Sequence, residues 1–350
     1  MILAIWVVAQ IAAFLFFGPV IAYDSATYIS AGKSILEGAW PSGYVTWYSA
    51  YCLMIAVTLL IGAAPVYVVV LQLILSALAT WSVYKITFRL SKNRTSAFIA
   101  ATLFATWPDL QQWNFIVYTD APFACAVLIT ISAIMERRNM IMIICLILFT
   151  IFLRPVGIVF MIACVVYLIA GLQQKYLYSI GVAVLLMSIF AINYIMRDYV
   201  DGFIESYAKG EIIYPDISAG FQTSPDLYIP SKDHPPVFQP VMFALGNPFY
   251  FLRMSVYKGL LFIGHVKPYF SMTHNILIAI FLWPLYVLAF IGFRKVDKSP
   301  TTKFILVFIL LQVLMVSLTS ENWDGRFLLP VLPWVFILSS VAIARWKYAQ

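Results

Sequence analysis

Three aspartates stand where a carboxylate could act on a substrate held at a membrane surface. Asp24 opens Asp24-Ser-Ala-Thr-Tyr28, directly after about twenty apolar residues that carry no charge, a stretch long enough to cross a bilayer. Asp120 sits in Tyr118-Thr-Asp-Ala-Pro122, and Asp324 in Trp323-Asp-Gly-Arg-Phe-Leu-Leu-Pro330. Arg154, in Leu153-Arg-Pro155, and Arg326 border apolar runs, and Lys258 and Lys267 lie among aromatic residues. An aspartate can take the proton of an attacking hydroxyl. An arginine offers a planar fork to phosphate oxygens. Carboxylates and arginines at one water–lipid boundary therefore suit a phosphate-bearing lipid. Each residue also has a plainer reading. Asp24 and Asp120 can be helix N-caps, the latter with Pro122 in the first turn. Asp324 and Arg326 can be a local ion pair. Arg154 can reach out to headgroups along its own stem. His265 and His274 read as interface histidines, and Asp109 as a turn residue.

The composition says what must hold these groups. Hydrophobic residues make up 63% of the chain and charged residues 11%, with a mean hydropathy of +0.92. A soluble domain has about 25% charge, so the chain reads as one polytopic, all-α membrane domain over residues 1–350. The net charge of +7 is no nucleic-acid footprint, because Lys and Arg cluster in short gaps between apolar runs, the positive-inside pattern. Cys52, Cys125, Cys145 and Cys164 lie in or beside apolar runs without CxxC or Cys/His spacing, which points to neither a metal site nor a disulfide framework.

The first span covers residues 1–22. It lacks a basic n-region and a persuasive cleavage site, so it reads as retained. Residues 24–37 form a surface helix that Gly38 can end. The run 48–63 is short for a crossing. If it only dips into the outer leaflet, Lys85, Arg89, Lys92 and Arg94 face the cytoplasm, and that arrangement is preferred. Residues 24–63 are then the first outer loop, with its juxtamembrane helices. Further spans follow at 65–88, 95–108, 121–135, 139–153, 156–172, 176–196, 272–293, 304–319 and 327–344, about ten in all, with both termini inside. Residues 197–249 are polar and proline-rich, an outer lid or acceptor-binding loop. Residues 250–270 form a second surface helix, so the long outer loop runs over 197–270. This arrangement leaves every acidic residue outside except Glu136 and Asp297.

Four of these motifs, taken in order, resemble the GT-C superfamily of membrane glycosyltransferases. The nearer likeness is to the bacterial relatives of protein O-mannosyltransferase and the lipid A aminoarabinose transferase. Asp24-x-x-x-Tyr28 is similar to their first-loop motif and Thr119-Asp-Ala-Pro122 to their second acidic motif. Leu153-Arg-Pro155 is similar to the Arg-Pro that opens a later span. Gly325-Arg-Phe-Leu-Leu-Pro-Val-Leu-Pro333 is similar to their closing pattern. The resemblance covers nearly the whole chain. It departs at Trp47-Tyr-Ser-Ala-Tyr51, where those proteins have Pro-Leu-Tyr-Pro, and in the absence of a soluble C-terminal domain.

The resemblance implies a sugar donor carried on a polyprenyl phosphate, with Asp24 as general base and Asp120 second in the site. It also implies a multi-pass protein of the bacterial inner membrane whose active site faces outward. The reaction is then a single displacement at the anomeric carbon. The polyprenyl phosphate leaves with its charge held by Arg154, Arg326, Lys258 or Lys267, while Asp24 takes the acceptor proton. No cofactor is required, and a divalent metal is optional. The partners are the donor, a glycan or glycolipid acceptor and membrane lipids, with no nucleic acid. The residues leave the sugar open, and the acceptor open among lipid A, O-antigen, another envelope glycan and a glycolipid. Three other readings stand beside this one: a polyprenyl-linked glycan flippase or transporter, a non-catalytic assembly subunit of a polysaccharide complex, and an oligosaccharide ligase or polymerase. Transporters carry charges near the bilayer midplane, whereas here they gather at span ends.

Overall fold

The computed structural model describes residues 1–22, 24–169, 174–322 and 325–346. Tyr23, Asp324 and part of the expected inner turn at 173–175 fall outside them. The chain is 74% helical with almost no sheet, which the composition anticipates. It divides into two compact units. The first comprises residues 1–164, 285–305 and 329–350, the second 165–284 and 306–328.

The first unit begins with α1 (Ile2–Phe17), which stops at Gly18, a residue with φ of 60°, just before Pro19. Helix α2 (Ser25–Leu36) ends as expected at Gly38, whose φ is 87°. There the amide of Gly38 bonds Ile35 O at 3.1 Å and that of Ala39 bonds Ser34 O at 2.9 Å. Glycine tolerates the left-handed turn that this double closure needs. Helix α3 (Ser49–Leu60) packs along α2. Then come α4 (Val68–Ser91), α5 (Arg94–Thr106) and the short α6 (Pro108–Gln111). Asn93 caps α5 by accepting from the amides of Thr95 and Ser96. Trp107, forced out of the helical region by the proline that follows it, is extended with ψ of 112°. Helices α7 (Asp120–Met135), α8 (Met140–Ile151) and α9 (Gly157–Ile169) follow, and α8 and α9 are separated at Arg154-Pro155. Helix α4 packs on α5 and α7.

The second unit takes the end of α9 and contains all of α10 (Gln174–Ala208), strand β1 (Ile213–Tyr214), α11 (Phe238–Gly246) and α12 (Pro248–Gly264). Helices α13 (Met272–Phe293) and α14 (Pro300–Leu318) contribute to both units. Strand β2 (Glu321–Asn322) pairs in parallel with β1, and α15 (Leu332–Trp346) returns to the first unit, where it packs on α5.

The sequence expectation of about ten spans is met only in part. Among the described residues, four helical stretches are long and apolar enough to cross a membrane: Gly43–Leu60, Pro65–Ser91, Met272–Phe293 and Pro300–Leu318. Five further apolar helices, in α1, α7, α8, α9 and α15, are shorter, between 10 and 17 residues long. Gly18-Pro19 stops α1 and Arg154-Pro155 parts α8 from α9, while charged residues bound α7, so none of these runs reaches about 20 residues as one helix. The run expected only to dip into one leaflet gains length in the other direction. A 3₁₀ turn over Gly43–Tyr48 extends α3 to 18 residues. The polar stretch 197–249, expected as a lid or loop, has a core of its own. Val200, Ile204, Tyr207, Ile213 and Phe243 are buried together there, with Met254 of α12. The aromatic residues scattered among its prolines supply that core.

Candidate active site

The first unit gathers Asp24, Tyr28, Asp120 and Arg154 at one corner. A short backbone bridge does the gathering. After α1 the chain runs alongside the segment that leads into α7. Val20 and Ile116 form a parallel bridge, with Val20 N–H donating to Phe115 O at 2.8 Å and Val117 N–H to Val20 O at 2.9 Å. Parallel segments advance together, and each acid lies four residues beyond the bridge. The Ser25 hydroxyl closes the pair further on, lying 2.6 Å from Ala22 O and 2.8 Å from Val117 O, either of which can accept its one hydrogen. The Asp24 amide donates to the Tyr118 phenol at 3.1 Å.

Asp24 occupies the N-cap position of α2, but its side chain makes no capping bond there. The carboxylate is on an exposed residue. Asp120 is different. It is the first residue of α7, whose N-terminal dipole favours an anion, and it is buried. Its carboxylate receives the Arg154 guanidinium, also buried. Arg154 therefore does not reach out to headgroups. It turns inward from the break between α8 and α9, where Pro155 prevents the helix from continuing.

Tyr28 lies between these groups. It is buried, and its ring contacts Tyr48, Tyr51 and Tyr118 at centroid distances of 5.2, 5.4 and 6.2 Å. Burial first, then Tyr48 and Asp24, hold its phenol well above the usual range; Arg154 pulls the other way, and Asp120 adds a smaller upward push. It stays a neutral hydroxyl. Two of these tyrosines belong to the departing segment Trp47–Tyr51, so the residues that break the family-like pattern line this corner. The corner thus combines an exposed carboxylate, a buried Asp–Arg pair and phenol groups. Such a set can take up a proton and donate hydrogen bonds to a sugar or phosphate oxygen.

Lys258, Lys267 and Arg326 lie in the second unit, and Asp324 is outside the described residues. Lys258 is fully buried on α12. Its ammonium donates to Thr319 O, lies 3.4 Å from Ser320 Oγ and stands 3.9 Å over the Tyr207 ring. Burial pushes its pKa down to about 7, and the nearby Glu211 opposes that shift. Burial in turn raises Glu211 above the usual carboxylate range. Lys258 thus serves an internal contact, holding the chain that enters β2. Lys267 is also fully buried. Its backbone forms a two-way bond with the Asn275 side chain at 3.1 and 2.9 Å. Arg326 starts a 3₁₀ turn directly after Gly325. A side chain at residue 325 would meet the His265 ring at 2.4 Å, and its φ is 66°, so this position needs glycine. His265 is buried, and burial, aided by Lys267 and His274, pushes its pKa down to about 3. It is a neutral residue packed inside the second unit.

Sequence reasoning missed the polar side chains beneath the first corner, chiefly Gln72, Gln111 and Asn114. A signal existed: Gln72, Ser76 and Thr80 recur every fourth residue along α4, which puts them on one helix face, and all three are buried. Among the described residues no group of three or more His, Cys, Asp or Glu could hold a metal ion. A scan of protein-family models finds no match to this chain, and a search of curated proteins likewise finds none.

Proposed function

We propose that the chain is a GT-C-like, multi-pass membrane glycosyltransferase. It moves a sugar from a polyprenyl-phosphate donor to an envelope glycan or glycolipid on the outer face of the bacterial inner membrane. The shorter apolar helices serve in this reading as further crossings. One observation carries it. The exposed Asp24 carboxylate shares a corner with the buried Asp120–Arg154 pair and Tyr28, and those residues come from three separate motifs of the resemblance.

The acceptor oxygen bonds to the anomeric carbon as the bond from that carbon to the phosphate oxygen breaks. The acceptor proton passes to Asp24. The phosphate departs with the electron pair of the broken bond. A carboxylate is a weak base, so proton transfer is concerted with attack on a carbon that already carries positive charge. Asp120 and Arg154 hold the floor of the site.

The test is transfer of a labelled sugar from a polyprenyl phosphate in membranes that carry the wild type or Asp24→Asn. General-base assistance of about 10²–10⁴-fold is at stake. The variant should insert and fold normally and lose transfer by that factor. Near-normal transfer by Asp24→Asn would remove the assignment.

A further inference from the structure

We propose that Gln72 is the positioning residue of this corner, a clamp on α4 that sets where the segments bearing Asp24 and Asp120 lie. Its side chain is 1% exposed, and its amide is spent on three bonds. Oε1 accepts from the Tyr51 phenol at 2.6 Å. Nε2 donates to the carbonyls of Asn114 and Ile116, both at 2.9 Å. Ile116 is the residue bridged to Val20. A single side chain therefore grips the junction from which both acid-bearing segments run, and it also fixes the phenol that packs edge-on against Tyr28.

The chemistry of the bonds explains why a glutamine is needed. The two carbonyls belong to an irregular loop among apolar helices. Ile116 O also accepts from Tyr118 N–H at 2.7 Å, whereas Asn114 O meets the Gln72 amide, and a buried carbonyl left unmet costs about 1–3 kcal/mol. Reaching both carbonyls takes a donor with two hydrogens, while the phenol requires an acceptor. A primary amide offers both at one carbon. Leucine offers neither, and glutamate would turn carboxylate oxygens on two carbonyls. The loop is held from below as well. Asn114 Nδ2 lies 2.7 Å from Gln111 Oε1 and 3.1 Å from Ser76 Oγ, so the clamp works against a fixed base.

Misplacing a reacting group by about 1 Å can cost around 10²-fold in rate. The catalytic half of the proposal rests on the glycosyltransferase reading, but the clamp itself does not. Two measurements on the full-length protein in membranes or detergent keep them apart. In Gln72→Leu, hydrogen exchange should speed up at least tenfold in the peptides covering residues 19–25 and 115–120. It should stay at wild-type rates at the far end of α4 and in α5. Tyr51→Phe leaves both carbonyl bonds in place and should keep exchange at 115–120 near wild type. Transfer by Gln72→Leu should show kcat lowered about 10–100-fold, with KM within about twofold. Unchanged exchange at 19–25 and 115–120 overturns the clamp whatever the reaction is. Raised exchange with an unchanged kcat overturns its role in positioning. If the wild type transfers no sugar, the functional reading fails and the exchange result still decides the clamp. If Gln72→Leu does not fold, Gln72→Asn keeps the amide but shortens the side chain by one methylene, so it cannot reach all three partners, and it should raise exchange at 115–120. Wild-type exchange there would overturn the clamp.

Discussion

Asp120 and Arg154 form a buried pair, and buried pairs have a characteristic response to mutation. Removing one member leaves an uncompensated charge and costs about 3–5 kcal/mol, whereas replacing both with apolar groups of similar volume is often neutral. Asp120→Leu and Arg154→Met should each lower the Tm of the detergent-solubilised protein clearly. The double variant should recover most of the loss. Additive losses would mean that the two side chains are not energetically coupled. Lys258 gives a second test at this scale. Its pKa in the folded protein, about 7, lies below its ordinary 10.5. Between those values the unfolded chain binds more protons than the folded one, so this residue makes stability rise with pH across that window, and its burial is most unfavourable below pH 7. The slope is at most about 1.4 kcal/mol per pH unit. Measured from pH 6 to 9, wild type should gain on Lys258→Met above pH 7, and parallel curves would reject the assignment. Asp24 was legible because it follows a long uncharged run, and both acids because each stands at the start of a helix. The direction in which Arg154 points was not. A residue before proline ends a helix, but whether it then faces lipid or its own core is decided by a carboxylate 34 positions away. Lys258 looked like a phosphate ligand because its partners are a carbonyl and a ring, groups that leave no mark in a charge pattern.

Elements rather than residues decide whether Asp24 stands at the mouth of the site. Helix α2 carries it, and α2 is set by its contact with α3. The closest approach is at Gly32. A Cβ there would lie 2.9 Å from Ile55 Cγ2 and 3.2 Å from Cys52 O, distances that force a neighbour to give way. Overfilling such a contact costs about 1–3 kcal/mol. Gly32→Val should therefore lower Tm and loosen α2, measurable as faster hydrogen exchange over residues 25–36. Adding Ile55→Ala makes room and should restore part of both. No change in either quantity would show that α2 is held elsewhere. The ends of α2 could be read in advance from Asp24 and Gly38, since cap chemistry is local. The length of the next helical stretch could not, because the turn at Gly43–Tyr48 is polar enough to pass for loop. The same limit explains the long segment 197–249. Its prolines and acids advertise a loop, while Tyr207, Phe221 and Phe243 come together only through tertiary packing.

At the scale of the whole molecule the decisive property is which end of the first unit faces which compartment. Helix α7 separates two kinds of polar chemistry. Asp120 is at its start. At its other end, Glu136 bonds Lys85 at 2.6 Å and Arg138 at 2.8 Å, and Arg89 donates to Met135 O. Sixteen residues at 1.5 Å rise put about 24 Å between those ends, close to the thickness of the hydrocarbon core. The basic end draws its charges from α4 and from the turn between α7 and α8, the short-loop clusters that favour the cytoplasm. A protein oriented by them would present Asp24 outward, the orientation that the proposed glycosyltransferase reading requires. Single cysteines test this directly. Cys145 is exposed and the other three cysteines are buried, so a Cys145→Ser background lowers the native signal. Ser30→Cys, on the exposed side of α2, should react with a membrane-impermeant maleimide in intact cells. Met140→Cys, beside Arg137 and Arg138, should react only after permeabilisation. Reaction of Met140→Cys in intact cells, with Ser30→Cys protected until lysis, would put Asp24 in the cytosol and remove the outward-facing enzyme. If both reacted from the same side, α7 would not cross the membrane, and the 24 Å between its ends would carry no topological meaning.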